Sequence, residues 1–316
     1  MSVSFDLGEA ISQTEGFILK NTGAKTMEIL STFIDGLSLG GIYALIALGY
    51  TMVYGIAKML NFAHGDIIMV GGYTIVIFFN LTGQPIVATL VAILVCMVFG
   101  VVIERVAYKP LRGASPLAVL ITAIGVSFLL QSIAQLVFGS ASKMVIFPAI
   151  GDIVLGSLII KGSTLLTLAA AAVIMVALTL FVNKTKTGRA MVAVSEDKSA
   201  ATLMGISSNR IIMITFAIGS ALAAVAGAFL IMKAPQVSVT MGAMPGIKAF
   251  TAAVIGGIGS IPGAMVGGLV LGLIETACGA IPAITPYTVA IEFALLIVIL
   301  LIKPTGILGK KRREKV

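Results

Sequence analysis

Charge is what this sequence has least of. Only 11% of its 316 residues are charged, against about 25% in an ordinary soluble domain. The deficit is spread over many apolar runs of about 18 residues or more. That excludes a soluble domain and indicates an all-α, polytopic membrane protein. The alternating segments of about 10 residues that a membrane barrel needs are missing. Histidine occurs once and cysteine twice. One histidine cannot build a metal site. Cys96 and Cys278 lie in separate apolar runs, with no second thiol or histidine at metal spacing, and read as small membrane-buried side chains. No G-x-x-x-x-G-K-[ST] loop is present, so the chain cannot bind ATP by that device. No nucleophile–base constellation stands out, and no cofactor or enzymatic activity is expected of this chain. Residues 1–28 have mixed charge and no apolar stretch of the cleavable-signal kind. They read as an N-terminal extension, either a surface-lying helix or disordered.

The charges that do occur are placed systematically. The net charge is +8, which taken alone would suit nucleic acid. The basic residues, however, cluster between or after apolar runs: Arg105, Lys109 and Arg112; Lys184, Lys186, Arg189, Lys198 and Arg210; Lys310 to Lys315. This is the positive-inside pattern of an inner-membrane protein, and no nucleic-acid partner is expected. About eight membrane segments follow: Leu30–Ile56, Ile67–Leu81, Pro85–Arg105, Pro116–Phe138, Thr164–Val182, Ile211–Met232, the glycine-rich Ala249–Ala277, and Thr288–Ile302. With the basic clusters inside, the stretch 140–163 lies outside and so does the N-terminus. Ala249–Ala277 must then begin and end on one side. Its roughly 29 residues are too few for two helical crossings at about 1.5 Å per residue. The expectation is a broken, re-entrant segment turning near Gly256–Gly263, where protein or water satisfies the backbone.

Three further features bear on function. Gly36 and Gly40, Gly219, Ala223 and Gly227, Gly259, Gly263 and Gly267, and Gly268 and Gly272 recur at intervals of four. Such spacing lets membrane helices approach closely. The glycine-rich segments, one early and one late, also suit a transporter with a midplane site. Asn61, His64 and Asp66 either cap the next helix, or Asn61 and His64 tie down a turn near a translocation path. The turn residues Gly256, Gly257, Gly259 and Pro262 are candidates for the same path. Intramembrane charges are few: Asp35, Glu104, Lys248 and Glu275 sit near span ends and Glu292 somewhat deeper. Their scarcity argues against autonomous ion coupling.

The longest charged stretch between apolar runs is Asn183 to Arg210. Ser195 is placed to cap a short helix, with Glu196 and Asp197 in its first turn. Gly205 is placed to end it. Gly188-Arg189-Ala190, Ser195-Glu196-Asp197 and Ala200-Ala201-x-x-x-Gly205 resemble the coupling loop of bacterial ABC importer permeases, with Ser199 where Glu is usual. Tyr43 to Gly55, Asn61 to Gly65, Glu104 to Tyr108, Lys248 to Gly263 and Lys303 to Gly309 are similar to the LivH type of branched-chain amino acid permease. The resemblance covers residues 29–309 as one permease domain, leaving 310–316 as a basic cytoplasmic tail. It implies import of leucine, isoleucine or valine across the bacterial inner membrane. It further implies a LivM-type second permease subunit, two cytoplasmic ATPases that bind the ATP, a periplasmic or lipid-anchored binding protein, and surrounding lipid. Arg189, Glu196, Asp197, Ala201 and Gly205 are the residues it implies for ATPase coupling. Related permeases move urea or short amides. A self-sufficient secondary transporter is the reading from another class.

Overall fold

The computed structural model describes residues 7–155 and 158–309, with side chains over 27–154 and 159–309. The first six residues and the basic stretch 310–316 lie outside the described residues. Among the described residues, eight helices are long and apolar enough to cross a membrane. They are the Met27–Ala57 part of α1 (Leu7–Ala57), α2 (His64–Thr82), α3 (Pro85–Ile103) with its π-helical extension to Tyr108, α4 (Pro116–Phe138), α5 (Gly162–Lys184), α8 (Ser208–Lys233), α10 (Ile261–Gly279), and α11 (Thr288–Ile302) with the turn before it. Between α5 and α8 lie α6 (Lys186–Glu196) and α7 (Lys198–Leu203). A shorter apolar helix, α9 (Ala243–Gly256), precedes α10.

The helix ends follow local chemistry. Pro85, Pro116 and Pro262 stand in the first turns of α3, α4 and α10, where a missing N–H costs nothing. Ser115, Thr185, Ser207 and Ser260 cap α4, α6, α8 and α10 through their hydroxyls. The capping read for Asn61, His64 and Asp66 is not what forms: α2 starts after Ala63 without a side-chain cap. Asp66 instead accepts from Gln131 of α4 at 2.8 Å.

Burial sorts the helices into an inner and an outer set. In α8, 72% of the membrane-crossing window is buried by protein, in α11 only 6%. The inner set, α1, α2, α8, α9 and α10, is held together through small residues. Gly36 and Gly40 of α1 face Gly268, Leu269, Gly272 and Leu273 of α10, and a Cβ on Gly272 would overlap the Gly40 backbone. Gly219 of α8 faces Gly49 of α1, and Gly227 faces Ile68 of α2. Gly263 and Gly267 of α10 lie on Gly256 and Ala252 of α9. The glycine intervals are thus helix–helix contacts, as their spacing implies.

Two short pairings set which ends lie together. The strand β1 (Lys143–Met144), from the α4–α5 connection, pairs with β4 (Gln236–Val237), which follows α8. The hairpin β2 (Ile153–Leu155) with β3 (Leu158–Ile160) lies in the same α4–α5 connection. At the opposite end Lys198 reaches Ala57, and Arg112 reaches Glu104 and Asn209. The basic stretches 105–112 and 184–210 therefore share one end of the bundle and β1 with β4 mark the other, in agreement with the positive-inside orientation.

The segment expected to be re-entrant differs in kind. Here α9 ends at Gly256 and α10 starts at Ile261. The turn between them lies at the basic end of the bundle, not at mid-depth. Gly259 sits against Gly55 of α1, and Gly257 against Gly309. Ile307 and Leu308 donate their N–H groups to the terminal carbonyls Ile255 and Gly256 of α9, at 2.8 and 2.9 Å. Those carbonyls have no partner inside the helix. Residues 234–242, a two-residue strand followed by turns, pack along α2 with Val237 near Gly72 and Gly242 near Gly65 and lead into the 14-residue α9.

The close α1–α10 approach yields a prediction. Gly272→Leu should destabilise the protein by about 1–3 kcal/mol or more through overpacking. Gly125→Ala, on the exposed face of α4 with nothing within 4 Å, should be neutral. Thermal unfolding of the purified protein in detergent distinguishes them; equal melting temperatures would refute the close contact.

Candidate functional site

The residues read as a coupling loop form a two-helix lever at the basic end of the bundle. Thr185 ends α5 and opens α6, its hydroxyl accepting from the Gly188 N–H at 2.9 Å. Gly188 lies on the backbone of Phe181 and Val182, where a Cβ would not fit. Met191 and Val194 continue the same buried face, and Arg189 and Glu196 project from α6 into the open. The cap of α7 is Asp197, not Ser195: its carboxylate accepts from Ser199 N–H at 2.8 Å and Ala200 N–H at 2.9 Å. Ser195 belongs to the last turn of α6, where its hydroxyl donates to the Val192 carbonyl. Ala201 is the buried contact of α7. Gly205 ends it at φ +82°, a left-handed conformation natural to glycine. Gly205 N–H donates to the Thr202 carbonyl and Ile206 N–H to the Ala201 carbonyl, both at 3.0 Å, which is a Schellman termination. All five residues expected to couple thus fall on this lever.

Two of its properties were not visible in the sequence. Leu203 and Met204, at the tip of α7, are 88% and 82% exposed. Next to the cap, Lys198 turns inward and donates from Nζ to the Ala57 carbonyl, at the C-terminal end of α1, at 3.1 Å. A cation there satisfies an orphan carbonyl and meets the negative end of the helix dipole. Burial, then the nearby Arg112 charge, hold the Lys198 pKa below the usual lysine value. The lever is therefore tied to the longest helix.

The other predicted site residues occupy two further places. Asn61 accepts from the buried Tyr108 hydroxyl at 2.8 Å. This bond joins the turn before α2 to the π-helical turn Glu104–Tyr108, whose Glu104 pairs with Arg112. His64 is buried, its ring 4.7 Å from the Tyr50 ring and lying over Gly49, and its Nε2 has no hydrogen-bond partner among the described residues. Gly256, Gly257, Gly259 and Pro262 form the turn between α9 and α10. Gly259 lines a narrow cavity of about 70 Å³ together with Thr51 and Gly55 of α1 and Met191 and Ser195 of α6.

A third place was missed. The charges read as scattered span-end residues meet at the opposite end of the bundle. Lys248 of α9 pairs with Glu275 of α10 at 2.8 Å and with Glu292 of α11 at 3.3 Å. Tyr43 of α1 donates to the other Glu275 oxygen at 2.7 Å. Lys248 and Glu275 border a cavity of about 540 Å³, with Glu292 and Tyr43 buried behind them. Their separation in sequence hid the cluster; only the packing of α9, α10 and α11 assembles it.

A family model described as the branched-chain amino acid transport system permease component matches residues 32–300. The chain belongs to that family. The permease is 45% identical to the high-affinity branched-chain amino acid transport system permease protein BraD of Pseudomonas aeruginosa, over 91% of this chain and 98% of that one. It is also 45% identical to LivH of Escherichia coli K12, over 91% and 97%. A probable branched-chain amino acid transport permease protein of Methanocaldococcus jannaschii is 29% identical over 84% and 88%. The permease is a multi-pass protein of the bacterial inner membrane.

The lever gives a second prediction. Asp197→Ala removes the cap of α7 and should cost about 1 kcal/mol, and Asp197→Asn should restore most of it. Amide hydrogen exchange of residues 198–205 measures this directly; unchanged protection in Asp197→Ala would show that the cap does not hold the helix.

Proposed function

We propose that this permease is one of two membrane subunits of a binding-protein-dependent ABC importer that moves leucine, isoleucine or valine into the cytoplasm. A LivM-type subunit would stand beside it. Two ATPases would bind the ATP at the basic end, and a periplasmic or lipid-anchored protein would deliver the substrate at the other. The chain itself performs no chemistry in this scheme and carries no cofactor.

The observation behind this reading is the lever at 186–205. Both of its helices are capped, which holds its shape. Its tip presents Leu203 and Met204, two large apolar side chains that water does not favour and that suit a protein pocket. Its base holds α1 through Lys198. A force applied at the tip therefore reaches the bundle. Arg189 and Glu196 supply charges around the tip for the docking partner, while Asp197, Ala201 and Gly205 keep its shape. Such a motion would be the conformational step that opens the cavity to alternating sides. The path runs from the 540 Å³ cavity at the outer end towards the 70 Å³ cavity at Gly259. Asn61, His64, Gly256, Gly257 and Pro262 line neither cavity and are assigned to the stretch between them.

The test is ATP-dependent leucine uptake into liposomes by the permease co-expressed with its ATPase and permease partners, with binding protein added. Leucine uptake is the expected result. ATPases retained without leucine uptake would keep the importer and move the substrate to urea or a short amide. Transport by this chain alone would replace the importer with a secondary carrier.

A variant localises the coupling. Gly205→Val forces a side chain into the left-handed region, at a cost of about 1–2 kcal/mol, with nothing within 4 Å to clash. The protein should still insert and the ATPases should still hydrolyse, while leucine uptake falls about tenfold, as expected when one good interfacial anchor is lost. Normal uptake by Gly205→Val would remove the lever from the mechanism.

A further inference from the structure

Between the lever and the turn before α2 lies a contact that the lever's bond to α1 does not include. One face of α8 meets the end of α3 and its π-helical extension. The Arg112 guanidinium donates to the Asn209 side chain. Arg105 stands 4.0 Å from the Met213 sulfur. The Tyr108 ring lies 5.3 Å from the Phe216 ring, and Gly100 lies against Ser220. On α8 these partners are spaced by four, three and four residues, the intervals of a single helix face. The matching face of α3 depends on the π-turn. Lys109 N–H donates to the Glu104 carbonyl, five residues back, at 2.7 Å. At about 100° per residue, an α-helix would leave positions eight apart about 80° out of line. The extra residue of a π-turn returns about 100° of this, so Gly100 and Tyr108 face α8 together. Such turns are rare and frequent at functional sites.

The same turn brings Tyr108 within reach of Asn61. Both residues are buried, and the Tyr108 hydroxyl donates to Asn61 Oδ1 at 2.8 Å. Asn61 Nδ2 has no hydrogen-bond partner among the described residues, so this one bond sets the side chain. The residues that follow lean on other elements. The Phe62 ring is 5.4 Å from Phe250 of α9, and the His64 ring is 4.7 Å from Tyr50 of α1. On the other side of the π-turn the buried Glu104 is held by Arg112, the guanidinium that also grips Asn209. Helix α8 begins directly after the lever, with Ser207 as its cap. We propose that Tyr108 is a positioning residue for transport: its hydroxyl keeps the Asn61–His64 turn in register with the lever-bearing end of α8. When the lever draws α8, the Arg112 clasp carries the π-turn with it, and Tyr108 carries Asn61. This route is independent of the Lys198 bond to α1. It rests on the import reading above, which supplies the motion.

The experiment uses the full complex in liposomes, with its ATPases, second permease subunit and added binding protein. Leucine uptake and ATP hydrolysis are measured on the same preparation, and their ratio is compared between variants. Tyr108→Phe keeps the ring on Phe216 and removes only the hydroxyl. The variant complex should assemble and hydrolyse ATP, while leucine taken up per ATP falls about fivefold to tenfold, the scale of one buried hydrogen bond. A merely structural bond would lower the melting temperature and the amount of assembled complex but leave uptake per ATP as in the unaltered protein; that result overturns the proposal. Asn209→Ala decides the matter should Tyr108→Phe not assemble. Asn209 is exposed, and the substitution releases α8 from Arg112 without touching the buried bond. Uptake per ATP should then fall about twofold, as for an exposed charged contact; an unchanged ratio in Asn209→Ala overturns the proposal in that case. Absence of leucine uptake by the unaltered complex would instead be the failure of the import reading.

Discussion

In a bilayer, two helices gain little by hiding apolar side chains from one another, because lipid tails are as apolar as leucine. What remains is dispersion, which falls off within a fraction of an ångström, so association depends on how closely backbones can approach. The contact between α1 and α10 meets this condition along most of its length. Gly36 and Gly40 on one helix meet Gly268 and Gly272 on the other with no Cβ between them. The other inner helices repeat the device: Gly219 on Gly49, Gly227 on Ile68, Gly263 on Gly256. Without these contacts α9, α10 and α11 would have no fixed depth, and neither cavity would exist.

The same packing makes α1 a shared wall. Its outer part carries Asp35 and Leu39 at the wide cavity and Tyr43, which holds Glu275. Its inner end carries Thr51 and Gly55 at the narrow one and offers the Ala57 carbonyl to Lys198. The separation from Tyr43 to Ala57 is about 21 Å at a helical rise of about 1.5 Å. A shift of the lever has to be accommodated by α1 or by the Lys198 bond. Because α1 is locked to α10 by backbone contact, it responds as a rigid rod before it bends, and the outer charges on α9, α10 and α11 feel the result. This is a physical connection between the two ends; coupling in the energetic sense requires two discrete arrangements of that rod.

Much of this was legible in the chain. Period, length and charge placement located the spans because lipid imposes a strict composition. Gly205 declared the end of α7 because a glycine after a short helix has one common use. The register of the cap was lost between Ser195 and Asp197, since both residue types cap well and only the depth of Val194 in the core decides which turn is last. The position of the turn between α9 and α10 was not legible for a different reason. Residues 234–242 have no helical periodicity, and they are placed by contacts with α2 and β1 that are distant in sequence. The ionic cluster was invisible because Lys248, Glu275 and Glu292 come from three helices, and a charge near a span end looks the same whether it faces headgroups or another charge. The tip residues Leu203 and Met204 looked like helix filler until their exposure was known.

The cost of that cluster bears on why it exists. Replacing a buried ion pair by packed apolar residues is often neutral or stabilising in soluble proteins, and hydrocarbon makes charge dearer still. Lys248, Glu275 and Glu292 therefore do not earn their place as a staple for α9, α10 and α11, which the glycine contacts and the Ile307–Ile255 bond already hold. A staple would also be complete, with each acceptor served. Here the Glu292 Oε2 atom has no hydrogen-bond partner among the described residues, and it is buried behind Lys248 rather than on the cavity wall, so the cluster is left incomplete within the helix packing itself.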